Sequence, residues 1–333
     1  MAGVDLNLFR FDYDLTFSAL LMNADGKIYH TYGGRTWESA DAYLSESTFA
    51  RVLDQTMLEH KAYKPGKRKK RQREPRLVED MPAARKRIEQ GRTPACYHCH
   101  TVHDFMTEDA RAEESFRIED VFRWPDPIQI GLTLHPEDQA VIADVAAGSP
   151  AGLIHLRPGD RLLTIEGHSI LTLGDVQRAL DTASPNRGGL RIAYEREGER
   201  AEDVIALEHG WKKPTPLVFS WRPSKWPLSP KPGFGGPQLT KAELETHELS
   251  SKAFAFQINY FVTWGPSAHT GRNAAEAGLR EGDIVLSLDG KSDFASVDHF
   301  HSWFRLTREA GETVVVKVLR GDERKTIELP VLK

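Results

Sequence analysis

The chain has 333 residues, enough for two or three domains, and its 40% hydrophobic and 28% charged residues are typical of folded globular protein. The formal net charge of −4 argues against a general nucleic-acid binder. The sequence has no apolar run of about 18 residues that would form a transmembrane helix, and its first 20 residues lack a signal-peptide layout. The two cysteines, Cys96 and Cys99, are too close in sequence to link distant segments.

The first predicted elements are a hairpin and a helix within residues 1–62. Residues 15–22 are mostly apolar and predict a buried strand, and Asp25-Gly26 favours the positive φ of a tight turn, with residues 27–32 as the partner strand. Residues 47–60 carry apolar side chains at helical spacing. This part of the chain is therefore predicted to be a small α+β domain.

The same segment carries phrases that resemble a known bacterial group. Residues 5–17, with the sequence DLNLFRFDYDLTF, and residues 29–35 are similar to proteins in which a thioredoxin-like domain precedes PDZ domains. Some members of that group carry selenocysteine. The resemblance implies a partial thioredoxin-like α/β half-domain at residues 1–62 and a periplasmic or extracytoplasmic location. The competing interpretation is a small cap without chemistry.

This half-domain departs from the thioredoxin pattern in two ways. No strand–helix unit with a redox Cys-x-x-Cys precedes it, and no proline stands just before the strand at Leu15, where thioredoxins place their cis-proline. We therefore expect one of two arrangements. Either the start is assigned too late, so that an export signal and the missing unit precede Met1, or another part of the chain covers the exposed half-sheet.

A basic linker is predicted next, at residues 63–76. Seven of the ten residues at 64–73 are lysine or arginine. Such a run contacts anionic lipid or nucleic acid in some proteins, but it is more often a solvated hinge. We expect a hinge here, with no nucleic-acid partner and without stable contact to a membrane surface.

Residues 77–124 are predicted to be a helical segment that carries the motif Cys96-Tyr97-His98-Cys99-His100. Cys-x-x-Cys-His is the attachment motif of c-type haem. Two thiols one helical turn apart meet the haem vinyl groups, and the following histidine, His100, ligates the iron. Met81 and Met106 are candidate distal ligands, and no spacing rule favours either.

Other chemistries fit the same segment. The two cysteines can instead form a disulfide or a redox dithiol. A metal ion is a further alternative, with His98 and His103 as added ligands, although four donors within eight residues crowd one tetrahedral ion. The cysteines can also be inert. The sequence leaves these alternatives open, so the predicted cofactor is c-type haem or none.

The rest of the chain uses one pattern twice, at residues 157–167 and 280–290. Each copy has a Gly-Asp turn, a short apolar strand and an acidic-Gly turn, followed by one helix and a final hairpin. That order resembles a bacterial PDZ domain of the kind found in HtrA-type and carboxy-terminal processing proteases. It predicts a first copy at residues 126–208 and a second at 253–333, joined by a Trp- and Pro-rich linker at 209–252.

The resemblance implies a peptide-binding groove in the first copy. Its carboxylate-binding loop would be Ile130-Gly131-Leu132, and the following strand would pair with a peptide backbone. The residues predicted to bind peptide are Ile130, Gly131, Leu132, Thr133 and Leu134 on the loop and strand, and Val176 and Leu180 on the helix. In the second copy, residues 254–262 lack the apolar-Gly-apolar phrase and the helix carries bulky side chains, so peptide binding there is the weaker expectation.

The sequence predicts an α+β multidomain protein: a partial thioredoxin-like half-domain, a helical Cys-His segment and two PDZ domains built as β-sandwiches or barrels with helices. The predicted function is non-catalytic binding of protein or peptide C-termini in the bacterial envelope. The alternative is a redox or electron-transfer protein that uses Cys96, Cys99 and His100. A protease is rejected, because no Gly-Asn-Ser-Gly-Gly stretch exists and Ser149 has no evident base.

Overall fold

The structure, a computed structural model, describes residues 2–64, 74–91, 98–184, 186 and 188–333. The chain forms two compact units, Met1–Pro214 and Thr215–Lys333. The first unit holds the N-terminal region and the first copy of the repeated pattern, and the second unit holds the second copy. Most of the basic run lies outside the described residues, and so do Cys96 and Tyr97.

The first unit begins with a hairpin and three helices, followed by a sheet with two further helices. Its elements are β1 (Ser18–Met22), β2 (Ile28–Gly33), α1 (Glu46–Ala62), α2 (Pro82–Glu89), α3 (Cys99–Ala112), β3 (Leu132–His135), β4 (Asp138–Val145), α4 (Pro150–Leu153), β5 (Arg161–Ile165), β6 (His168–Ser169), α5 (Leu173–Thr182), β7 (Gly189–Arg196) and β8 (Glu199–Ala206). Short 3-10 turns stand at Val78–Asp80, Ile118–Val121 and Pro127–Ile130.

The predicted N-terminal hairpin and helix are present. β1 and β2 pair antiparallel, and the Asn23 side chain closes their turn by accepting from the backbone N–H groups of Asp25 and Lys27, each at 3.0 Å. Ser45 caps α1 by accepting from the Thr48 N–H. A hairpin followed by a helix is what the thioredoxin-like prediction requires, but many folds share it, and the assignment stays a prediction.

Helices α2 and α3 form a small apolar cluster with the N-terminal coil. Val78 and Phe105 are fully buried in it, and Leu6 and Tyr13 come from the coil. Phe105 lies on α3, so its burial fixes which face of α3 turns inward. The helical segment predicted from the sequence is therefore folded against the start of the chain.

The first copy is built on one sheet with the strand order β3-β4-β5-β7-β8, and β6 pairs beside β5. β3 is one of the two edge strands of this order, and β8 is the other. Helix α5 packs on the sheet through Leu173, Val176 and Leu180, each buried to 1% exposure or less. Burial of such side chains stabilises the domain by about 2 kcal/mol each.

The second unit follows the element order of the first copy, except that short helices are added before and after its first strand and none of its strands corresponds to β6. Its elements are α6 (Pro216–Phe219), β9 (Phe234–Gly235), α7 (Lys241–Thr246), β10 (Phe256–Gln257), β11 (Tyr260–Phe261), α8 (Ala268–Glu276), β12 (Ile284–Leu288), α9 (Val297–Thr307), β13 (Thr313–Arg320) and β14 (Glu323–Pro330), with 3-10 turns at Pro223–Lys225 and Gly265–Ser267. The strand orders are β10-β12-β13-β14 and β11-β9.

Backbone hydrogen bonds show which strand of the second unit corresponds to β3. In the first copy the Gly131 carbonyl accepts from the Ala146 N–H at 2.9 Å, and in the second unit the Gly233 carbonyl accepts from the Val262 N–H at 2.8 Å. Both glycines have positive φ, +87° and +85°. β9 is therefore the counterpart of β3, and the segment predicted as a linker contributes a strand to the second unit.

The Gly-Asp turns of both copies hold the same ion pair. Arg196 donates twice to Asp160, both at 2.7 Å, and Arg320 donates twice to Asp283, at 2.6 and 2.8 Å. Burial raises the pKa of Asp160, but the hydrogen bonds from Arg196 and the Arg157 backbone outweigh it and lower the pKa below its usual value. These aspartates fix the turn next to the final hairpin, which is a structural role.

Replacing Arg196 with alanine is expected to lower the free energy of unfolding of the first unit by about 3 kcal/mol, because the Asp160 carboxylate stays buried without its partner. Chemical unfolding of the full chain measures this. Arg200→Ala is the matched control, since Arg200 pairs with Glu202 on the exposed surface of the same hairpin, and we expect a change of about 0.5 kcal/mol or less. Equal effects of both substitutions would contradict a structural role for the Asp160 pair.

Candidate functional site

The candidate site is the groove of the first copy, the space between edge strand β3 and helix α5. The loop that enters β3 is the 3-10 turn at Pro127–Ile130, and Asp126 caps it by accepting from the Ile128 N–H at 3.1 Å. Gln129 returns the bond by accepting from the Asp126 N–H at 3.1 Å. This reciprocal capping gives the loop a fixed shape.

Gly131 ends this turn and has no room for a side chain. Its φ is +87°, and an added Cβ would lie 1.9 Å from the Ser149 hydroxyl oxygen. The Gly131 N–H donates to the Ile128 carbonyl at 3.0 Å, so it is used inside the turn. The glycine is therefore required by the backbone, and the binding of a peptide carboxylate at this loop stays a prediction.

The apolar residues predicted to bind peptide mostly face the domain core. Ile130, Val176 and Leu180 have no exposed surface, and Leu132 and Leu134 are 2% and 1% exposed. In the same set, Thr133 is the one residue that points to the exposed side of β3. The structure brings the loop, the strand and the helix together, but it buries the helix positions that were predicted to line the groove.

The N-terminal hairpin packs on the groove helix. Asp175 of α5 accepts from the Thr31 N–H at 2.7 Å, and its other oxygen lies 2.8 Å from His30 Nδ1. Gly174 meets the same strand so closely that an added Cβ would lie 2.4 Å from the Thr31 carbonyl oxygen and 2.7 Å from that of Gly33. β2 thus lies directly against α5. The hairpin that was expected to need a cover from elsewhere in the chain packs on the first copy.

A second part of the N-terminal region reaches the edge strand. The Tyr43 hydroxyl donates to the Leu134 carbonyl at 2.9 Å, and the Tyr43 carbonyl accepts from the Gln139 side chain at 2.8 Å. Gln139 also accepts from the Leu173 N–H at 3.0 Å, at the start of α5. Tyr43 is 6% exposed and belongs to the core of the first copy. One acceptor that a peptide backbone could use on β3 is therefore already occupied.

A pocket remains open between these parts. It has a volume of about 260 Å³ and lies between residues 36–43 of the N-terminal segment and residues 126–136 of the loop and β3. Apolar side chains that line it include Trp37, Ile128, Leu132 and Leu173. Ile128 is 43% exposed, so the pocket opens to solvent beside the predicted carboxylate-binding loop.

The far end of α5 is held by charge. Asp181 accepts from Arg10 at 3.0 Å and from Arg123 and the Trp124 N–H at 3.1 and 3.2 Å. Burial raises the pKa of Asp181, but the charge and hydrogen bond of Arg123 and the bond from Trp124 lower it more. Three sites along α5, Gly174, Gln177 and Asp181, are thus covered by chain that precedes the first copy.

The second unit covers the corresponding face of its own groove helix. Asp298 of α9 pairs with Lys225 at 2.9 Å, and the rings of His301 and Trp226 lie 5.2 Å apart. Arg305 stacks over Trp226 at 5.0 Å from the ring centre. Burial, and then the charges of Arg305 and Lys225, lower the pKa of His301 well below its usual value. The neutral form of His301 is therefore favoured, and its ring packs against Trp226.

The predicted Cys-His site is described only in part. Cys99 is the first residue of α3, is half-buried and packs against the apolar cluster of that helix. His98 and His100 are exposed and their rings stack at 5.7 Å. His103 is instead buried beside Asp12 and Asp14, a grouping that the sequence did not predict. Because Cys96 lies outside the described residues, haem, disulfide and metal at this motif stay predictions.

Comparison with protein families matches two segments of the chain. The PDZ domain model matches residues 141–187 in the first copy, and a second PDZ domain model matches residues 268–331 in the second. Both matches contain the Gly-Asp turn and the groove helix of their copy. Both matches begin after β3 and β9. The correspondence of the loops at Gly131 and Gly233 therefore rests on their backbone hydrogen bonds and positive φ.

Two curated relatives are similar to this chain over one stretch. They are putative zinc metalloproteases of Brucella suis biovar 1 and Brucella melitensis biotype 1, each 37% identical over 62 residues. The match covers 19% of this chain and 16% of each relative, so the likeness is that of one domain. Within the described part of the chain, the helices are all too short or too polar to cross a membrane. The family matches, together with the repeated geometry, identify two PDZ domains in this chain.

Proposed function

We propose that the protein is a non-catalytic interaction protein that binds the C-terminus of a partner protein through its first PDZ domain. The single observation that carries the proposal is the open apolar pocket beside β3. PDZ domains generally bind peptide C-termini by adding a strand to this edge. By its resemblance to envelope proteins, the chain is proposed to act in the bacterial envelope, with a thioredoxin-like remnant at its N-terminus.

The pocket suits one apolar side chain better than a larger ligand. Its volume of about 260 Å³ lies just below the usual range of small-molecule sites. Trp37, Ile128 and Leu132 are among the apolar side chains that line it. A leucine, isoleucine or phenylalanine at the end of a peptide is therefore the proposed occupant.

Peptide binding on this edge competes with the N-terminal segment. A bound strand needs the Leu134 carbonyl, which now accepts from the Tyr43 hydroxyl, and it needs the space along α5 that β2 fills. A protein whose binding-competent state is only partly populated binds with an affinity reduced by that fraction. The N-terminal segment is thus proposed to lower the affinity of the first PDZ domain in the resting protein.

The second PDZ domain is proposed as the lesser binder. The helix face that corresponds to the covered face of α5 is occupied by Lys225 and Trp226 of its own unit. The metalloprotease activity in the names of the two Brucella relatives is not carried over, because the match covers one domain only.

Binding of a C-terminal peptide library to the full chain tests the proposal. The expected dissociation constant for the best apolar C-terminus is micromolar, about −8 kcal/mol. Gly174→Ala should strengthen binding about tenfold, because the new Cβ collides with the Thr31 and Gly33 carbonyls and shifts β2 off the groove helix. Fluorescence anisotropy with labelled peptides measures both.

Gly188→Ala is the matched control, since a Cβ there meets nothing within 4 Å, and it should leave the affinity unchanged. Amidating the peptide C-terminus should abolish binding. If amidated and free peptides bind equally, or if Gly174→Ala and Gly188→Ala give the same affinity as the unchanged chain, the proposed mode is wrong.

The contact of β2 with α5 should also depend on pH through His30. Burial lowers the pKa of His30, but its hydrogen bonds and charge attraction to Asp175 and Glu59 outweigh this and raise the pKa above 6.5. The stability gained by protonated His30 is complete below pH 6.5 and is lost as the pH rises through the raised pKa.

Urea unfolding of the unchanged chain and of His30→Gln, from pH 5.5 to 9, measures this effect. The stability difference between the two proteins should be largest near pH 6 and shrink toward pH 9. His209→Gln, at an exposed turn, serves as the control and should show no such trend. A difference that is constant with pH would mean that the His30 charge does not contribute to the contact.

A further inference from the structure

We infer that Asp12, Asp14 and His103 form a binding site for a divalent transition-metal ion, with Zn²⁺ as the best-fitting probe. Each residue offers one donor atom, and the three donor atoms lie within 4.8 Å of one another. All three side chains are buried. The inference does not depend on the proposed peptide binding.

The fold brings these donors together from distant parts of the chain. The Asp12 carboxylate accepts from the Asp14 N–H at 3.1 Å, which makes a tight turn with both carboxylates close together. His103 comes from the inner face of α3, next to the fully buried Phe105. The Tyr13 ring stands edge-on to the His103 ring at 5.4 Å and holds turn and helix in contact.

Charge favours a cation at this place. Asp12 and Asp14 are 1% and 7% exposed, and two carboxylates buried side by side repel each other unless positive charge compensates them. A divalent ion held by both carboxylates would lower this repulsion.

The donor set selects the type of metal. One imidazole nitrogen with carboxylate oxygens suits Zn²⁺, Mn²⁺ or Fe²⁺, whereas Ca²⁺ and Mg²⁺ prefer oxygen alone. Zinc sites with three protein ligands keep a fourth position open for water or another ligand. The three donors here, from the turn and from α3, would likewise leave the fourth position of the metal open.

An adjoining cleft gives the open position an outlet. The cleft has a volume of about 250 Å³, and His103, Tyr13 and Met106 are among its lining residues. Arg10, Arg76 and Arg123 also line it. A small anion that completes the coordination of the metal, such as a carboxylate or phosphate, would find positive charge there.

The described residues of the Cys-x-x-Cys-His motif are not members of this donor cluster. The neighbouring His98 and His100 are exposed, and Cys99 is not among the clustered donors. Metal binding by the motif and metal binding by the buried cluster therefore make opposite predictions for cysteine substitutions.

The test is titration of the metal-free full chain with Zn²⁺ by calorimetry, together with thermal unfolding. A variant with Cys96→Ser and Cys99→Ser should still bind Zn²⁺ and gain thermal stability from it, because an ion that binds only the folded state stabilises that state. In this cysteine-free background, Asp12→Asn with His103→Gln should weaken binding by about 100-fold or more. The Co²⁺ complex of the background variant should show visible ligand-field bands.

Three results would overturn the inference: no Zn²⁺ binding by the cysteine-free variant, unchanged binding when Asp12 and His103 are replaced, or no Co²⁺ bands. If the Asp12→Asn, His103→Gln variant does not fold, the single Asp14→Asn variant takes its place. The calorimetry and Co²⁺ results on the cysteine-free variant decide the question in either case.

Discussion

The Asp175 carboxylate is the contact on which the arrangement of the first unit depends. It is 3% exposed and accepts from the Leu171 and Thr31 N–H groups at 3.1 and 2.7 Å, while His30 lies 2.8 Å away. A buried carboxylate needs such partners, and here most of them come from a strand 144 residues earlier in the chain. The same residue therefore supports the start of the groove helix and docks the N-terminal hairpin on it.

In both PDZ domains, residues from an earlier part of the chain pack on the same face of the groove helix. In the first domain, β2 lies on Gly174, and in the second unit Lys225 pairs with Asp298, which takes the corresponding place after the N-cap. The packing segments differ: in the first domain it is strand β2, and in the second it is a turn that carries Lys225 and Trp226. The groove helix of each domain thus already has a partner, and in the proposed binding mode the affinity for a peptide would depend on how readily that partner leaves.

The sequence predicted the repeated domains well, because Gly-Asp turns and short apolar strands are local signals. It missed the strand at Phe234, because helix α7 and strand β10 separate it in sequence from β11, the strand with which it pairs. It also placed Val176 in the groove, although helical spacing alone cannot tell a core face from a lining face. His103 was predicted only beside the cysteines, because its approach to Asp12 arises from tertiary packing.

In the resting protein β2 is docked on α5, and hydrogen exchange measured by mass spectrometry tests this arrangement most directly. Peptides that cover Ile28–Gly33 should exchange as slowly as those of α5 in the unchanged chain. In Gly174→Ala they should exchange faster, while α5 itself stays protected and Gly188→Ala behaves like the unchanged chain. Rapid exchange of β2 in the unchanged chain would contradict the docked arrangement.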